Sequence, residues 1–103
     1  MKTEAFMIYS WNETPDRKES TVYEDFIFHP GIDIRFTDYD DDNVMYPVVA
    51  EYVGDGQYVA EHNGYSYCGT VSFEEDTIFW RGVFQVGNDE GTFEMSWHNK
   101  NWS

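Results

Sequence analysis

The chain has 103 residues, with 20 Asp or Glu against 6 Lys or Arg and a formal net charge of −14. That length holds one domain around one core, residues 1–103, and the 19% aromatic content supplies the large apolar groups that disordered acidic chains lack. The missing basic footprint argues against direct binding to nucleic acid or to an anionic membrane.

In chain order, "AFMIYSW" (5–11) reads as a strand. "NETPDRKES" (12–20) carries a helix start, with Thr14 as N-cap, Pro15 at the first helical position and Asp16 in the first turn. Because "TVYEDFIF" (21–28) reads as strand again, at most one short helix is expected near residues 15–20. Period-two alternation then takes over. In "GIDIRFTD" (31–38), Ile32, Ile34 and Phe36 face one way, and Asp33, Arg35 and Thr37 the other. "VMYPVVAEYV" (44–53) is apolar on both faces, and its Pro47 marks an edge or a bulge. Gly54–Gly56 turns the chain into "QYVAEH" (57–62).

Asn63-Gly64 is the sharpest local signal, a pair that favours a type I′ hairpin turn. It predicts that His62 pairs with Tyr65, Ala60 with Tyr67 and Val59 with Cys68. "YSYCGTVSF", "TIFWRGVFQV" and "TFEMSWH" follow, separated by "EED" and "GNDEG", so residues 57–98 read as a four-stranded antiparallel meander. The fold class is all-β: a single small antiparallel barrel or sandwich of seven or eight short strands.

The aspartate run "TDYDDDNVMYP" (37–47) admits three readings. Asp38, Asp40 and Asp42 fit the first three ligand positions of an EF-hand loop. Asn43 stands where the turn glycine belongs, however, and Val49 where the bidentate glutamate belongs. A solvated turn between strands is the plain reading. The third is charge presentation: alternate carboxylates on an extended strand lie roughly 6.5–7 Å apart, a spacing comparable with neighbouring phosphates. It gains weight from ten acids between Arg35 and Arg81 with no Lys or Arg among them: Asp38, Asp40, Asp41, Asp42, Glu51, Asp55, Glu61, Glu74, Glu75 and Asp76.

Catalytic readings fare worse. The hairpin register puts His62 and Cys68 on opposite faces, so no dyad forms, and Cys68 is expected to be a small packed residue. His29 and His98 match no metal-ligand spacing. Glu74, Glu75 and Asp76 fall in a solvated turn, the wrong setting for a carboxyl pair with one raised pKa. No phosphate loop, metal site or cofactor motif is present in the sequence, and no enzyme is expected. Tyr58, Tyr65, Tyr67, Trp80, Phe84, Phe93 and Trp97 are expected inside, as core or as a pocket lining. Trp11, Phe79 and Trp102 fall off that face as contact anchors.

The start "MKTEAFMIYSW" lacks a signal-peptide apolar run, and no stretch nears 18 apolar residues, so a cytoplasmic protein is expected. The expected function is a small acidic inhibitor that docks on a basic protein, a nuclease or other nucleic-acid-binding enzyme, by presenting carboxylates in place of phosphates. Asp38, Asp40, Asp41, Asp42, Glu74, Glu75 and Asp76 are the candidate partner-binding residues. Phage anti-restriction and anti-CRISPR proteins, and immunity proteins against nuclease toxins, share this compositional profile. A small-ligand-binding β-barrel and a non-catalytic subunit with merely solubilising charge are the alternatives.

Overall fold

A computed structural model describes residues 3–39, 42–62 and 64–99. Its elements are eight strands: β1 (Thr3–Trp11), β2 (Glu19–His29), β3 (Asp33–Tyr39), β4 (Met45–Gly54), β5 (Gln57–His62), β6 (Tyr65–Glu74), β7 (Thr77–Val86) and β8 (Asp89–His98). Each pairs antiparallel with the next, and β8 returns to β1 to close the barrel. The expected helix start is a run of turns instead. The Thr14 N–H donates to the Trp11 carbonyl and the Arg17 N–H to the Thr14 carbonyl, both at 3.0 Å.

Closure follows from alternation. Inward positions on successive strands carry Ala5 and Met7, Tyr23, Ile34 and Phe36, Val48 and Ala50, Tyr58 and Ala60, Tyr67, Ile78 and Trp80, then Phe93, Met95 and Trp97, all buried. Trp80, Phe26, Phe28, Ile34, Ile78 and Met95 are the largest wholly enclosed side chains, so the interior is packed with side chains. Each such burial contributes about 1.5–3 kcal/mol. Edge-to-face pairs such as Trp80 on Phe93, with ring centroids 4.8 Å apart, add directionality.

Beside a register shift between Tyr52 and Gly54 in β4–β5, three features shape the barrel. In β1–β2 the register shifts between Thr3↔Phe26 and Ala5↔Tyr23, so Glu24 and Asp25 together face one residue. This bulge resets the inward set from Tyr23 to Phe26 and Phe28, which breaks period-two alternation in the sequence. The second is the β2–β3 ladder, which holds three pairs, His29↔Asp33, Phe28↔Ile34 and Ile27↔Arg35. Beyond them β2 pairs with β1 and β3 with β4, and aromatic packing of Phe36 against Tyr23 and Phe26 bridges the seam.

The third is the cross-strand pair Gly69↔Gly82. A Cβ on Gly82 would lie 1.9 Å from the Cys68 carbonyl oxygen, and one on Gly69 would lie 2.9 Å from Trp80 Nε1. Two bare backbones let β6 and β7 approach closely and let the Trp80 indole lie against them.

The β1–β2, β3–β4, β5–β6 and β7–β8 connections share one end of the barrel, here the top; the other three share the bottom. Pro47 sits in the top half of β4, where the ladder to β3 includes Thr37↔Pro47 but the ladder to β5 begins only at Glu51↔Val59. The proline thus occupies a local edge inside a closed barrel.

Candidate functional site

At the top of the barrel, the inward row of β3 runs Ile34, Phe36, Asp38. The third of these places a half-buried carboxylate where the first two place apolar groups. Tyr67 donates its hydroxyl to Asp38 Oδ2 at 2.9 Å, and the Tyr39 N–H donates to Oδ1 at 2.9 Å. The Tyr23 and Tyr46 hydroxyls lie near enough to feel the charge of this carboxylate. Burial first, and then the Asp38 charge, raise the hydroxyl pKa values of Tyr23, Tyr46 and Tyr67 well above their ordinary value, and Tyr65 goes up to about 12. The four phenols therefore stay protonated at neutral pH, and Tyr67 serves the carboxylate as a donor. Their rings are contiguous: Tyr46 lies 4.8 Å from Tyr65, Tyr65 lies 6.1 Å from Tyr67, and His62 stacks on Tyr46 at 5.8 Å and 5°.

Around this mouth the rim is acidic and partly apolar. Glu13, Asp16, Asp42, Glu61, Asp89 and Glu90 are exposed there, with Arg17 and Lys18 the bases among the described residues of the same end. Tyr39, Val44, Met45 and Val86 stand between the acids at 44–65% exposure. Half-buried Trp11 lies against Phe84 with centroids 5.0 Å apart, beside a surface cleft bounded by Glu13, Asp89 and Glu90.

The sequence-derived site residues are thus divided. Asp38 turns inward and is bonded, Asp42 is exposed in the β3–β4 turn, and Asp40 and Asp41 lie outside the described residues. Glu74 ends β6 and Glu75 and Asp76 form the β6–β7 turn at the bottom, the opposite end, so the two acidic clusters do not form one surface. Glu74 accepts from Ser72 at 3.0 Å and from Arg81 at 2.7 Å. The hydrogen bonds from Arg81 and Ser72 hold its carboxyl below the ordinary value. Glu75 adopts φ 55°, and the Asp76 carbonyl accepts from the Asn99 N–H at 2.7 Å.

Four further expectations are corrected. Ile32 is 64% exposed in the β2–β3 turn rather than in the inward row, and Asp33 is buried rather than outward. His29 Nδ1 donates to Asp33 Oδ1 at 2.7 Å and Arg35 Nε donates to Oδ2 at 2.9 Å, which is why the carboxylate can be enclosed. Burial alone would raise the Asp33 pKa; the bonds from His29 and Arg35 reverse this and hold it below its ordinary value. Cys68 is exposed on the outer wall, opposite Val59 and Val83, rather than packed. Phe79 is half-buried beneath Arg81, whose guanidinium carbon lies 4.0 Å from the ring centroid, and Trp102 lies outside the described residues.

The tyrosine cluster and the burial of Asp33 were not anticipated. Continuing the Ile34–Phe36 alternation by one step signals the inward turn of Asp38, whereas nothing local signals which tyrosines converge on it. No family model matches the chain, and neither a curated protein nor a solved structure matches it.

Proposed function

We propose that this protein is a non-catalytic binding module that docks the acidic top of its barrel on a basic, nucleic-acid-binding protein and blocks it. One observation carries the reading: the two arginines of the barrel wall are already engaged. Arg35 bonds Asp33 at 2.9 Å, while Arg81 bonds Glu74 at 2.7 Å and lies 3.6 Å from Glu94. The exposed acids of the top are left with Arg17 and Lys18 as the bases of that end among the described residues. A net charge of −14 destabilises the compact chain by self-repulsion, which a basic surface relieves on contact. Steering by such a field raises the association rate and makes binding salt-sensitive.

The test uses a basic nuclease or other nucleic-acid-binding enzyme captured at low salt and released at high salt. Three outcomes are expected together. Nucleic acid competes with the protein for the captured enzyme. The Asp40→Asn/Asp41→Asn/Asp42→Asn variant binds more weakly, with a shallower salt dependence. The bottom-end Asp55→Asn/Glu75→Gln/Asp76→Asn variant binds nearly as the parent does. Equal affinity and equal salt slope in all three proteins would refute the reading.

A further inference from the structure

The Asp38 cluster has properties that a structural hub alone does not need. Its carboxylate is half-buried, its described hydrogen-bond partners are the Tyr67 hydroxyl and the Tyr39 backbone N–H, and neither is cationic. Elsewhere in the same chain an enclosed carboxylate, Asp33, is given both a histidine and an arginine. The Tyr67 hydroxyl and the Tyr39 N–H donate to the carboxylate without bringing an opposite charge to the mouth. Asp38, Tyr46 and Tyr65 each keep part of their surface exposed at the top.

Around that charge stand π faces. Half-buried Tyr46 and Tyr65 tilt toward one another at 4.8 Å and 42°, and His62 extends the aromatic wall beyond Tyr46. Tyrosine faces attract cations electrostatically, more strongly where water is thinned out. A carboxylate set among such rings repels anions and has no preference for neutral alkyl groups. Its complement is a small cation on a slender apolar stem.

We infer that Asp38 and the tyrosines around it form a receptor for one alkylammonium group, the side chain of a lysine on the basic partner; the inference rests on the function proposed above. The ammonium donates to Asp38 beside the Tyr67 hydroxyl. The methylene stem lies along the Tyr46 and Tyr65 rings. The acidic rim then steers, and this single site anchors.

The experiment titrates the intact protein with n-butylammonium chloride, following the backbone amide resonances of Tyr39 and Tyr67 by NMR at constant ionic strength. Saturable shifts at these residues, with a dissociation constant of roughly 1–10 mM, are expected. The neutral isostere n-butanol should give none, and n-butylguanidinium should bind several-fold more weakly. Asp38→Asn should weaken n-butylammonium at least tenfold. The parent titration stands by itself if that variant fails to fold, with Tyr46→Phe as a second variant that keeps the carboxylate.

Absence of saturation in the parent, or equal shifts from n-butanol, overturns the inference. If rim neutralisation still weakens partner binding in that case, the proposed function survives. Saturable n-butylammonium binding alongside unchanged capture of the partner by Asp38→Asn overturns the assignment to a partner lysine and leaves a site for a free amine.

Discussion

Gly82→Ala isolates the close approach that bends the β6–β7 wall. The added Cβ would sit 1.9 Å from the Cys68 carbonyl oxygen, 2.5 Å from Gly69 Cα and 2.8 Å from the Cys68 carbonyl carbon. All three atoms are backbone, so no rotamer change relieves the overlap. An ordinary carbon–oxygen contact is about 3.3 Å, which requires β6 to retreat by more than an ångström. That strand is tied to β7 by ten register pairs and packed from inside by Trp80, so the displacement propagates.

Overpacking a core by a methylene costs about 1–3 kcal/mol where side chains can yield. Here they cannot, and a loss of about 3 kcal/mol or more is expected, a large share of a typical 5–15 kcal/mol stability. Urea unfolding followed by tryptophan fluorescence should show the midpoint falling by about 1–3 M. Gly87→Ala serves as the control, with φ 60° and nothing within 4 Å of the new carbon. It should cost only about 1–2 kcal/mol, through left-handed backbone strain. A Gly82→Ala loss below about 1 kcal/mol with an unchanged slope would mean that the strands are not held this close.

Two titrations test the buried networks. Tyr23 and Tyr67 are buried with raised hydroxyl pKa values, so their contribution is present below the unfolded value near 10 and is lost as pH rises above it. Two such groups lower stability by about 2.7 kcal/mol per pH unit. Part of the phenolate absorbance at 295 nm should therefore appear in a cooperative step that coincides with unfolding, and ionisation of all eight tyrosines in a protein that stays folded would contradict this. Asp33 has the opposite sign: its pKa is lowered, so its contribution is present above the unfolded value near 4 and is lost as pH falls through the folded one. Asp33→Asn should cost about 2 kcal/mol at pH 7, and that deficit should shrink below pH 4 in matched denaturation curves. A deficit independent of pH would point to packing rather than charge.

How much of this was legible depended on whether the cause was local. Asn63-Gly64 set the β5–β6 register from two residues, and His62↔Tyr65, Ala60↔Tyr67 and Val59↔Cys68 all pair as that turn requires. Turn residues and alternation likewise marked β7 and β8. The β1–β2 bulge, by contrast, shifted the inward set within β2, so a strict period-two reading of "TVYEDFIF" could not find both Tyr23 and Phe26. Asp33 looked like a solvent position because the sequence cannot show His29 and Arg35 converging on it. The charge of Asp38 suggests an outward position, whereas its parity with Ile34 and Phe36 places it inside. The tyrosines that meet it come from β2, β4 and β6, and only closure of the barrel brings them together.

That closure also separates the order of the strands in space from their order along the chain. β1 and β8 lie side by side, with Ala5 opposite Trp97, so the ladder is a ring with no structural first member. A circular permutant that joins residues 3 and 98 through a short flexible linker, and opens instead at the exposed Gly87–Asn88 turn, retains every strand pair. The natural strand ends at Thr3 and His98 are at the bottom, whereas those of the permutant are at the top. An immobilising tether can thus be attached at either pole of the same barrel, far from the carboxylate mouth in one molecule and beside it in the other.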